Sequence, residues 1–511
     1  MNDWTAGYVA DIGYTFGYYP ELNPMRMRLA FLRAGLVCPE VGTACELGFG
    51  QGMSTNLHAA ATTVQWYGTD FNPAQASFAQ EMAAAGGAAA RLFDESFAEF
   101  TKRSDLPDFD LIALHGIWSW ISDENRACIV DFVRRKLKVG GVLYISYNTL
   151  PGWASFAPMR HLLTQHAEVI GSEGRGIVSR IDGALAFADK LLEQQPGYAR
   201  ANPTVADRMK QLKSQNRHYL AHEYFNRDWH PMHFATMVDW LAPAKMTYAC
   251  SGHLLDHVPD LQLTEGQQAF LKEIPDFNFR ETVRDFMTNQ QFRRDYWVKG
   301  ARMLNPLERN EALRRERLML TTHRPDVTLK VSGALGEAQM NEAVYAPLLD
   351  LLADHEPKTV AELERLPQMK SMNFAKVVQC LIVLCGTGQV SPVRTEAQAA
   401  AARATSDRLN QALLQRSRGN GDIGHLASPV TGGGVQVGRF SQLFLLARQQ
   451  GLQNPEQWAR FSLDLVLELK QRLLKEGKPL ERPEDNFAEL VAQAQTFAEK
   501  ELPSLKALQI V

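Results

Sequence analysis

Residues 41–147 alternate short apolar segments with helix-like segments, and this alternation constrains the fold more than any other feature of the chain. Five of the apolar segments are predicted to be strands, at 43–47, 64–68, 89–93, 109–114 and 141–147. Helices are predicted between them, at 53–61, 73–84, 97–102 and 123–137. Strict alternation of strand and helix predicts an α/β fold, in which helices cover both faces of a doubly wound parallel sheet.

A glycine-rich turn, ELGFGQG, joins the first predicted strand to the first predicted helix. Its glycines, Gly48, Gly50 and Gly52, have the spacing G-x-G-x-G. The dinucleotide-binding pattern G-x-G-x-x-G would need a third glycine where Met53 stands. Glycines let the backbone approach a ligand closely. Because Glu46 precedes them with a negative charge, the turn favours a ligand with a cationic amine over one with a pyrophosphate.

Two further carboxylates follow the second and third predicted strands, at the edge of the sheet where ligands bind. Asp70 is placed to accept hydrogen bonds from both hydroxyls of a ribose, and Asp94 from an adenine amino group. Together with Glu46 and the glycine turn, these acids resemble the class I S-adenosylmethionine-dependent methyltransferases, over residues 41–147. The resemblance implies a Rossmann-like sheet and S-adenosylmethionine as the cofactor, bound by Glu46, Gly48, Gly50, Gly52, Asp70, Phe71, Asp94 and His115.

Six further segments resemble a narrower group, the bacterial methyltransferases with a methyltransferase regulatory domain. The segments are YTFGYYPELNPMRM (14–27), LHGIWSWIS (114–122), YNTLPGW (147–153), YFNRDWHPMHF (224–234), FRRDYWVKG (292–300) and HLASPVTGGGVQVGRF (425–440). That group includes lysine methyltransferases that act on outer-membrane proteins. The resemblance covers most of the chain and implies methyl transfer, with a protein lysine amine as the leading acceptor.

The segment after the fourth predicted strand is expected to lie beside the methyl donor. His115, Trp118 and Trp120 are predicted there. Indole faces attract cations, so the tryptophans are candidates to hold the sulfonium or a lysine stem. The alternative is that both tryptophans cap the apolar edge of the sheet.

The segment after the fifth predicted strand is expected to orient the acceptor. The amide of Asn148 and nearby carbonyls could align an amine with the S–CH3 axis. The lysine proton would leave to water or to a tyrosine such as Tyr14, Tyr18 or Tyr147. The alternative is that Asn148 and Thr149 form an ordinary turn. The predicted catalytic residues are Tyr18, His115, Trp118, Tyr147 and Asn148.

Residues 154–223 do not continue the strand–helix alternation and read as a helical insertion, with helix-like stretches at 181–195 and 205–220. We interpret the insertion as a lid or a dimerisation arm within a catalytic domain formed by 1–153 and 224–305. Histidine pairs occur nearby, at 218 with 222 and 230 with 233. No H-E-x-x-H motif is present, so no metal site is predicted.

The remaining chain is predicted to form two more domains. Residues 306–395 resemble a winged helix, with a short helix capped at Thr359 and a third helix that carries one basic residue, Lys376. Protein contact is therefore favoured over DNA binding. Residues 396–511 are predicted to be helical. The glycines at 432–434 lack a following lysine in P-loop register, which indicates a flexible hinge.

The composition excludes several classes of partner. A formal net charge of -3 over 511 residues gives no case for nucleic acid. The six cysteines form no C-x-x-C pair, so neither a disulfide framework nor a zinc site is indicated, and a reducing cytoplasm is expected. No signal sequence and no apolar run of about 18 residues is found, so no membrane span is predicted.

The leading hypothesis is a cytoplasmic protein-lysine methyltransferase, because roughly 200 residues beyond the catalytic fold suit a large acceptor. A methyltransferase of small molecules or glycan precursors is the second hypothesis, with the tail serving oligomerisation. A non-catalytic regulator that senses S-adenosylmethionine is the third. A homodimer is expected if the insertion pairs, and residues after about 305 are expected to be dispensable for cofactor binding.

Overall fold

The computed structural model describes residues 13, 15–171, 174, 176–370, 372–475 and 477–511. The strand–helix alternation predicted from the sequence is confirmed. The fifth strand begins directly after the preceding helix, four residues earlier than predicted. The elements of this part are α1 (Pro24–Ala34), β1 (Thr43–Leu47), α2 (Met53–Ala61), β2 (Gln65–Thr69), α3 (Pro73–Gly86), β3 (Ala90–Phe93), α4 (Phe97–Phe100), β4 (Phe109–Leu114), α5 (Asp123–Lys136) and β5 (Leu137–Asn148).

The insertion is helical, and two more strands follow it. The single helix predicted at 205–220 is two helices, because Asn216 caps a new helix by accepting a hydrogen bond from the backbone N–H of His218 at 2.7 Å. The elements are α6 (Ala157–Val169), α7 (Gly176–Glu193), α8 (Gly197–Ala201), α9 (Thr204–Ser214), α10 (Arg217–Tyr224), α11 (Phe234–Leu241), β6 (Met246–Ser251), α12 (Pro259–Gln262), α13 (Glu265–Lys272), α14 (Phe277–Thr288) and β7 (Phe292–Lys299).

The seven strands named above form one mostly parallel sheet in the order β3-β2-β1-β4-β5-β7-β6. Only β7 runs antiparallel to its neighbours, and it pairs with both β5 and β6. β1 is an interior strand, third in this order, and its residues from Ala44 to Leu47 are all buried, as expected for a strand covered by helices on both faces. The strand order reverses between β1 and β4, which places the ligand-binding crevice at their carboxyl ends.

The insertion has a hydrophobic cluster of its own. Helices α6, α7, α9 and α10 bury residues such as Met159, Leu163, Ile181, Met209 and Leu220 against each other. This cluster is separate from the cores on either face of the sheet. The insertion therefore has the internal packing of a compact helical unit.

Residues 306–395 form helices around a small antiparallel sheet in the order β11-β8-β12, with β9 and β10 as a separate hairpin. Thr359 caps α17 by accepting from the N–H of Glu362 at 3.1 Å. The winged-helix interpretation stays a prediction. The elements are α15 (Pro306–Arg315), β8 (Arg317–Leu320), β9 (Lys330–Gly333), β10 (Gly336–Gln339), α16 (Glu342–Leu351), β11 (Lys358–Thr359), α17 (Val360–Arg365), α18 (Phe374–Gly386) and β12 (Val390–Pro392).

Residues 396–511 are mostly helical and include two hairpins that the sequence did not predict, at 474–479 and at 425–436. The hairpin at 425–436, called the C-terminal hairpin below, contains the glycines at 432–434, interpreted above as a hinge, in its turn and at the start of its second strand. The elements are α19 (Glu396–Arg416), β13 (His425–Ser428), β14 (Gly433–Gln436), α20 (Arg439–Gln449), α21 (Pro455–Glu468), β15 (Leu474–Lys475), β16 (Lys478–Pro479), α22 (Pro483–Thr496) and α23 (Leu502–Ala507).

The C-terminal helices share a core with the first helices of the sheet. Met53 and Leu57 of α2 belong to the same buried cluster as Leu413, Leu426 and Phe444. Every residue of α2 is buried. The C-terminal part therefore covers one face of the nucleotide-binding half of the molecule.

Within the described ranges, no helix has the length and apolar character that crossing a bilayer requires. The same residues contain no group of three or more histidine, cysteine or acidic side chains arranged to hold a metal ion.

Candidate active site

A cavity of about 390 Å³ lies at the carboxyl ends of β1, β2 and β4. The glycine turn and the residues after these strands form its floor. Residues from the N-terminal segment and from α10 and the loop after it form the opposite wall. The cavity thus occupies the crevice that the strand order defines.

The glycine turn has a backbone conformation that other residues rarely adopt. Gly48, Gly50 and Gly52 have φ angles of 74°, 58° and 68°. A Cβ atom at Gly48 would lie 2.6 Å from Ile117, and one at Gly52 would lie 2.5 Å from Ala79. Gly48 and Gly50 line the cavity, whereas Gly52 is buried behind it. The G-x-G-x-G spacing therefore serves both the tight turn and the open floor.

Asp70 lines the floor of the cavity at the end of β2, as predicted. Its two carboxylate oxygens accept hydrogen bonds from the backbone N–H groups of Gly50 at 2.8 Å and Asn72 at 3.0 Å. Burial raises the pKa of Asp70 to about 6, and the two hydrogen bonds counteract that rise. Phe71 also lines the cavity. The carboxylate that is predicted to bind ribose is therefore fixed in place by the glycine turn.

Glu46 is buried beneath the turn and does not line the cavity. Its carboxyl group accepts a hydrogen bond from the hydroxyl of Thr55. Burial raises the pKa of Glu46 to about 8, and the Thr55 hydrogen bond opposes this rise. The position beneath the turn favours a role in holding the turn and α2 together.

The acid that faces the cavity after β3 is Glu95 and not its neighbour Asp94. Asp94 is exposed and lies outside the cavity lining. Glu95 lines the cavity, and its Oε1 atom pairs with Arg103 at 2.6 Å. Its Oε2 atom is buried and has no hydrogen-bond partner among the described residues. A ligand with an N–H donor would satisfy that oxygen.

His115 lines the cavity at the end of β4, as predicted. Its ring stacks on Tyr19 with 3.5 Å between the centroids, and its Nδ1 atom shares a hydrogen bond of 2.9 Å with the hydroxyl of Tyr144. Burial lowers the pKa of His115 to about 4, so the imidazole is neutral at pH 7. Tyr19 was not among the predicted residues, although it lies within the quoted segment 14–27.

The structure does not bring the remaining predicted catalytic residues to the cavity. Trp118 is fully buried and packs edge-on against Trp240, while Trp120 lines the cavity. Tyr18 packs against the C-terminal hairpin. Tyr14 lies outside the described residues.

Tyr147 and Asn148 also face other parts of the protein. The Tyr147 hydroxyl donates to Asp295 on β7 at 2.8 Å, within a buried cluster of charges. Asn148 is buried, and its backbone N–H donates to Ser119 at 2.8 Å while its carbonyl accepts from Met232 at 2.9 Å. Neither side chain lines the cavity, and the backbone bonds of Asn148 tie β5 to neighbouring loops.

The wall opposite the glycine turn carries charged residues that sequence reasoning missed. Glu124 of α5 lies there, together with His222, Glu223, Arg227 and Asp228 from α10 and the loop that follows it. His222 is buried, and the others are partly or fully exposed. In the sequence, His222 is half of a histidine pair and the segment 224–234 is a family motif, and neither was assigned to a site.

Comparisons with known proteins agree with this architecture. A family model described as a predicted methyltransferase regulatory domain matches residues 216–299. Protein sll1526 of Synechocystis sp. is 38% identical over 512 residues, which cover 99% of both chains. Protein RP789 of Rickettsia prowazekii is 26% identical over 299 residues, which are 55% of this chain and 51% of that protein.

Solved structures agree over nearly the whole length. PKMT2 from Rickettsia typhi, in complex with AdoHcy, has a TM-score of 0.67 and 16% sequence identity, and covers 96% of this chain and 98% of its own. A second structure of PKMT2 gives a TM-score of 0.66. At this identity the likeness establishes the fold, and it includes the insertion and the C-terminal part.

Proposed function

The chain belongs to the family of class I methyltransferases with the predicted methyltransferase regulatory domain, and from this premise we propose that it methylates lysine amines of a protein with S-adenosylmethionine. One observation carries the proposal. One cavity joins the glycine turn and Asp70, which are predicted to bind the nucleoside, to a wall that carries carboxylates.

The floor fits S-adenosylmethionine. Gly48 and Gly50 leave the backbone open, Asp70 supplies two carboxylate oxygens, and Glu95 supplies a buried acceptor without a partner among the described residues. When bound, this cofactor supplies a methyl group activated on a sulfonium. The AdoHcy bound by PKMT2 is the product of methyl donation by S-adenosylmethionine, which supports the same cofactor here.

The opposite wall suits a cationic acceptor. Glu124, Glu223 and Asp228 place carboxylates around the cavity. Arg227 lies beside them and pairs with Asp228 at 3.6 Å, so these carboxylates outnumber the cation. Such a concave site attracts an ammonium group. Neutral His115 adds no positive charge to repel it. The indole of Trp120 offers an apolar surface for the methylene stem of a lysine. These residues would guide and align the amine, and water would take its proton.

Labelled S-adenosylmethionine tests this proposal. The purified protein is incubated with a cell lysate, and label is followed into the macromolecular and small-molecule fractions. We expect label in protein, and transfer to a lysine peptide but not to the same peptide with acetylated lysines, because acetylation removes the nucleophile. Label confined to small molecules would support the second hypothesis, and binding without transfer would support the regulator.

A matched pair of variants connects the activity to the cavity. Asp70→Asn removes the charge from the cavity floor, whereas Asp94→Asn changes an exposed acid outside the cavity. We expect the first to lose most transfer activity and the second to retain it. Equal activity in both variants would contradict the placement of the cofactor.

We further propose that the insertion is a dimerisation arm or a lid, and that the protein acts in the cytoplasm. Val169 and Ile170, at the end of α6, are 73% and 70% exposed, and Phe187 on α7 is 41% exposed. Exposed apolar residues on a compact unit favour contact with a second copy. Light scattering would detect a dimer. A monomer in solution would contradict the dimerisation arm and would favour the lid.

A further inference from the structure

The three-glycine segment of the C-terminal hairpin packs directly against Tyr18. A Cβ atom at Gly433 would overlap the Tyr18 hydroxyl and lie 2.9 Å from the amide nitrogen of Asn23. A Cβ atom at Gly434 would lie 2.9 Å from the Tyr18 ring. Both distances are shorter than real Cβ contacts, so glycine at these positions allows the hairpin to approach the N-terminal segment this closely.

Hydrogen bonds fix this contact. The side-chain amide of Asn23 donates to the carbonyl of Thr431 at 2.9 Å, and both residues are buried. The Nδ1–H group of His58, in α2, donates to the carbonyl of Gly432 at 3.2 Å. The turn of the hairpin therefore binds both the N-terminal segment and the helix that follows the glycine turn of the cavity.

The residues on either side of Tyr18 belong to the cavity. Gly17 and Tyr19 line it. The backbone N–H of Tyr19 donates to the hydroxyl of Ser54 in α2 at 2.8 Å, and its ring stacks on His115. Consecutive residues thus face opposite ways, with Tyr18 against the hairpin and Tyr19 against the cavity.

We infer that the C-terminal hairpin is a positioning element for the cofactor site, which holds Tyr18 so that Tyr19 closes the cavity over bound S-adenosylmethionine. This inference rests on the proposed function for the identity of the ligand. It assigns a role to the segment 425–440, none of whose residues lines the cavity. A shift of Tyr18 away from the hairpin would move the adjoining Tyr19, because one peptide bond joins them.

Three glycine variants of the full chain test the inference by calorimetry with S-adenosylmethionine. Gly433→Ala and Gly434→Ala push against Tyr18, and either suffices if the other does not fold. Gly438→Ala is the matched control, since its φ is -66° and its Cβ would meet nothing within 4 Å among the described residues. We expect about 3- to 10-fold weaker binding for the first two, the range of one aromatic stacking contact, and wild-type affinity for the control.

A double-mutant cycle separates positioning from general destabilisation. If the hairpin acts through Tyr19, then Gly433→Ala should weaken binding in the wild-type background and add nothing in a Tyr19→Ala background. Wild-type affinity of Gly433→Ala and Gly434→Ala would overturn the inference, and so would an equal additional loss in the Tyr19→Ala background. No binding by the wild-type protein would overturn the proposed function, and this inference with it.

Discussion

The two glycine-rich segments of this chain use the same residue for different purposes. At positions 48, 50 and 52 all three glycines have positive φ angles, and two of them face the cavity. At positions 432–434 only Gly432 has a positive φ, and the other two are glycines because Tyr18 and His58 leave no room for a side chain. The first segment keeps space open for a ligand, and the second allows two parts of the chain to close on each other.

This difference separates residues that face the cavity from residues that face the protein. Changes in the first class should alter cofactor binding directly. Changes in the second class should alter stability, or alter binding only through a neighbour. Each of the following changes tests whether the residues concerned belong to the first class or to the second.

Deletion of residues 396–511 is expected to have the largest effect. It would expose α2, every residue of which is buried, and would remove the partners of Met53 and Leu57. Each exposed large apolar side chain costs about 1.5 to 3 kcal/mol. We expect an insoluble or unfolded product without cofactor binding, as measured by soluble yield, circular dichroism and calorimetry. This reverses the expectation from the sequence that the tail is dispensable, and a soluble truncated protein with wild-type affinity would restore it.

Gly48→Ala should abolish cofactor binding. The new methyl group would collide with Ile117 at 2.6 Å, and the positive φ adds backbone strain of about 1 to 3 kcal/mol. Gly140→Ala is the matched control, since its φ is 81°, its Cβ would meet nothing within 4 Å in the described structure, and it does not line the cavity. It should lower the free energy of unfolding through strain without closing the floor. Similar binding losses in both variants, measured by calorimetry, would refute the steric explanation.

Cofactor affinity should fall as the pH drops from 7 to 5. Burial raises the pKa of Asp70 to about 6, so the carboxylate that is predicted to accept from ribose becomes protonated within this range. At pH 7.5, Asp70→Ala should weaken binding by about 1.5 to 3 kcal/mol, the scale of hydrogen bonds to a charged group. Calorimetry at several pH values measures both effects. If the affinity of the Asp70→Ala variant still changes between pH 5 and 7, the pH dependence is due to a group other than Asp70.

The same raised pKa predicts the sign of a stability change. The unfolded chain releases the Asp70 proton near the ordinary value, whereas the folded protein keeps it until about pH 6. Raising the pH from 4 to 6 therefore disfavours the folded state through this group, and the loss is complete above pH 6. Asp70→Asn should remove this loss in denaturant titrations. An unchanged pH profile would contradict the raised pKa.

Tyr147→Phe should have the smallest effect on binding. Its hydroxyl donates to Asp295, and neither residue lines the cavity, so loss of the hydroxyl should lower the free energy of unfolding by about 1.5 to 3 kcal/mol. The dissociation constant for S-adenosylmethionine should stay at the wild-type value. A large loss of affinity without loss of stability would instead support the predicted role of Tyr147 in the active site.

The parts of the site that follow local rules were predictable. Strand periodicity placed β1, β2 and β4, and the positions directly after them yielded Gly48, Asp70 and His115 in the cavity. Each of these residues lies within three positions of a strand end. Their placement therefore depends on the sheet and little else.

The other residues of the site are placed by contacts between distant segments, which a single sequence does not reveal. After β3 the exact turn decides which acid points inward, and Arg103 holds Glu95 there while Asp94 points to solvent. Tyr19 reaches the cavity because Ser54 and the C-terminal hairpin hold its segment. Asp228 reaches it because the chain returns from the insertion at that point.

The pairing of β5 with β7 affects how the protein is made. Asn148 pairs with Phe292, so roughly 140 residues must be synthesised before the edge of β5 is covered. At about 5 to 20 residues per second, the edge stays open for about 7 to 30 s on the ribosome. An open strand edge recruits other chains. β7, which lies within the residues matched as a regulatory domain, therefore covers the exposed edge of β5. Slowing translation between codons 149 and 291 should increase aggregation of the nascent chain.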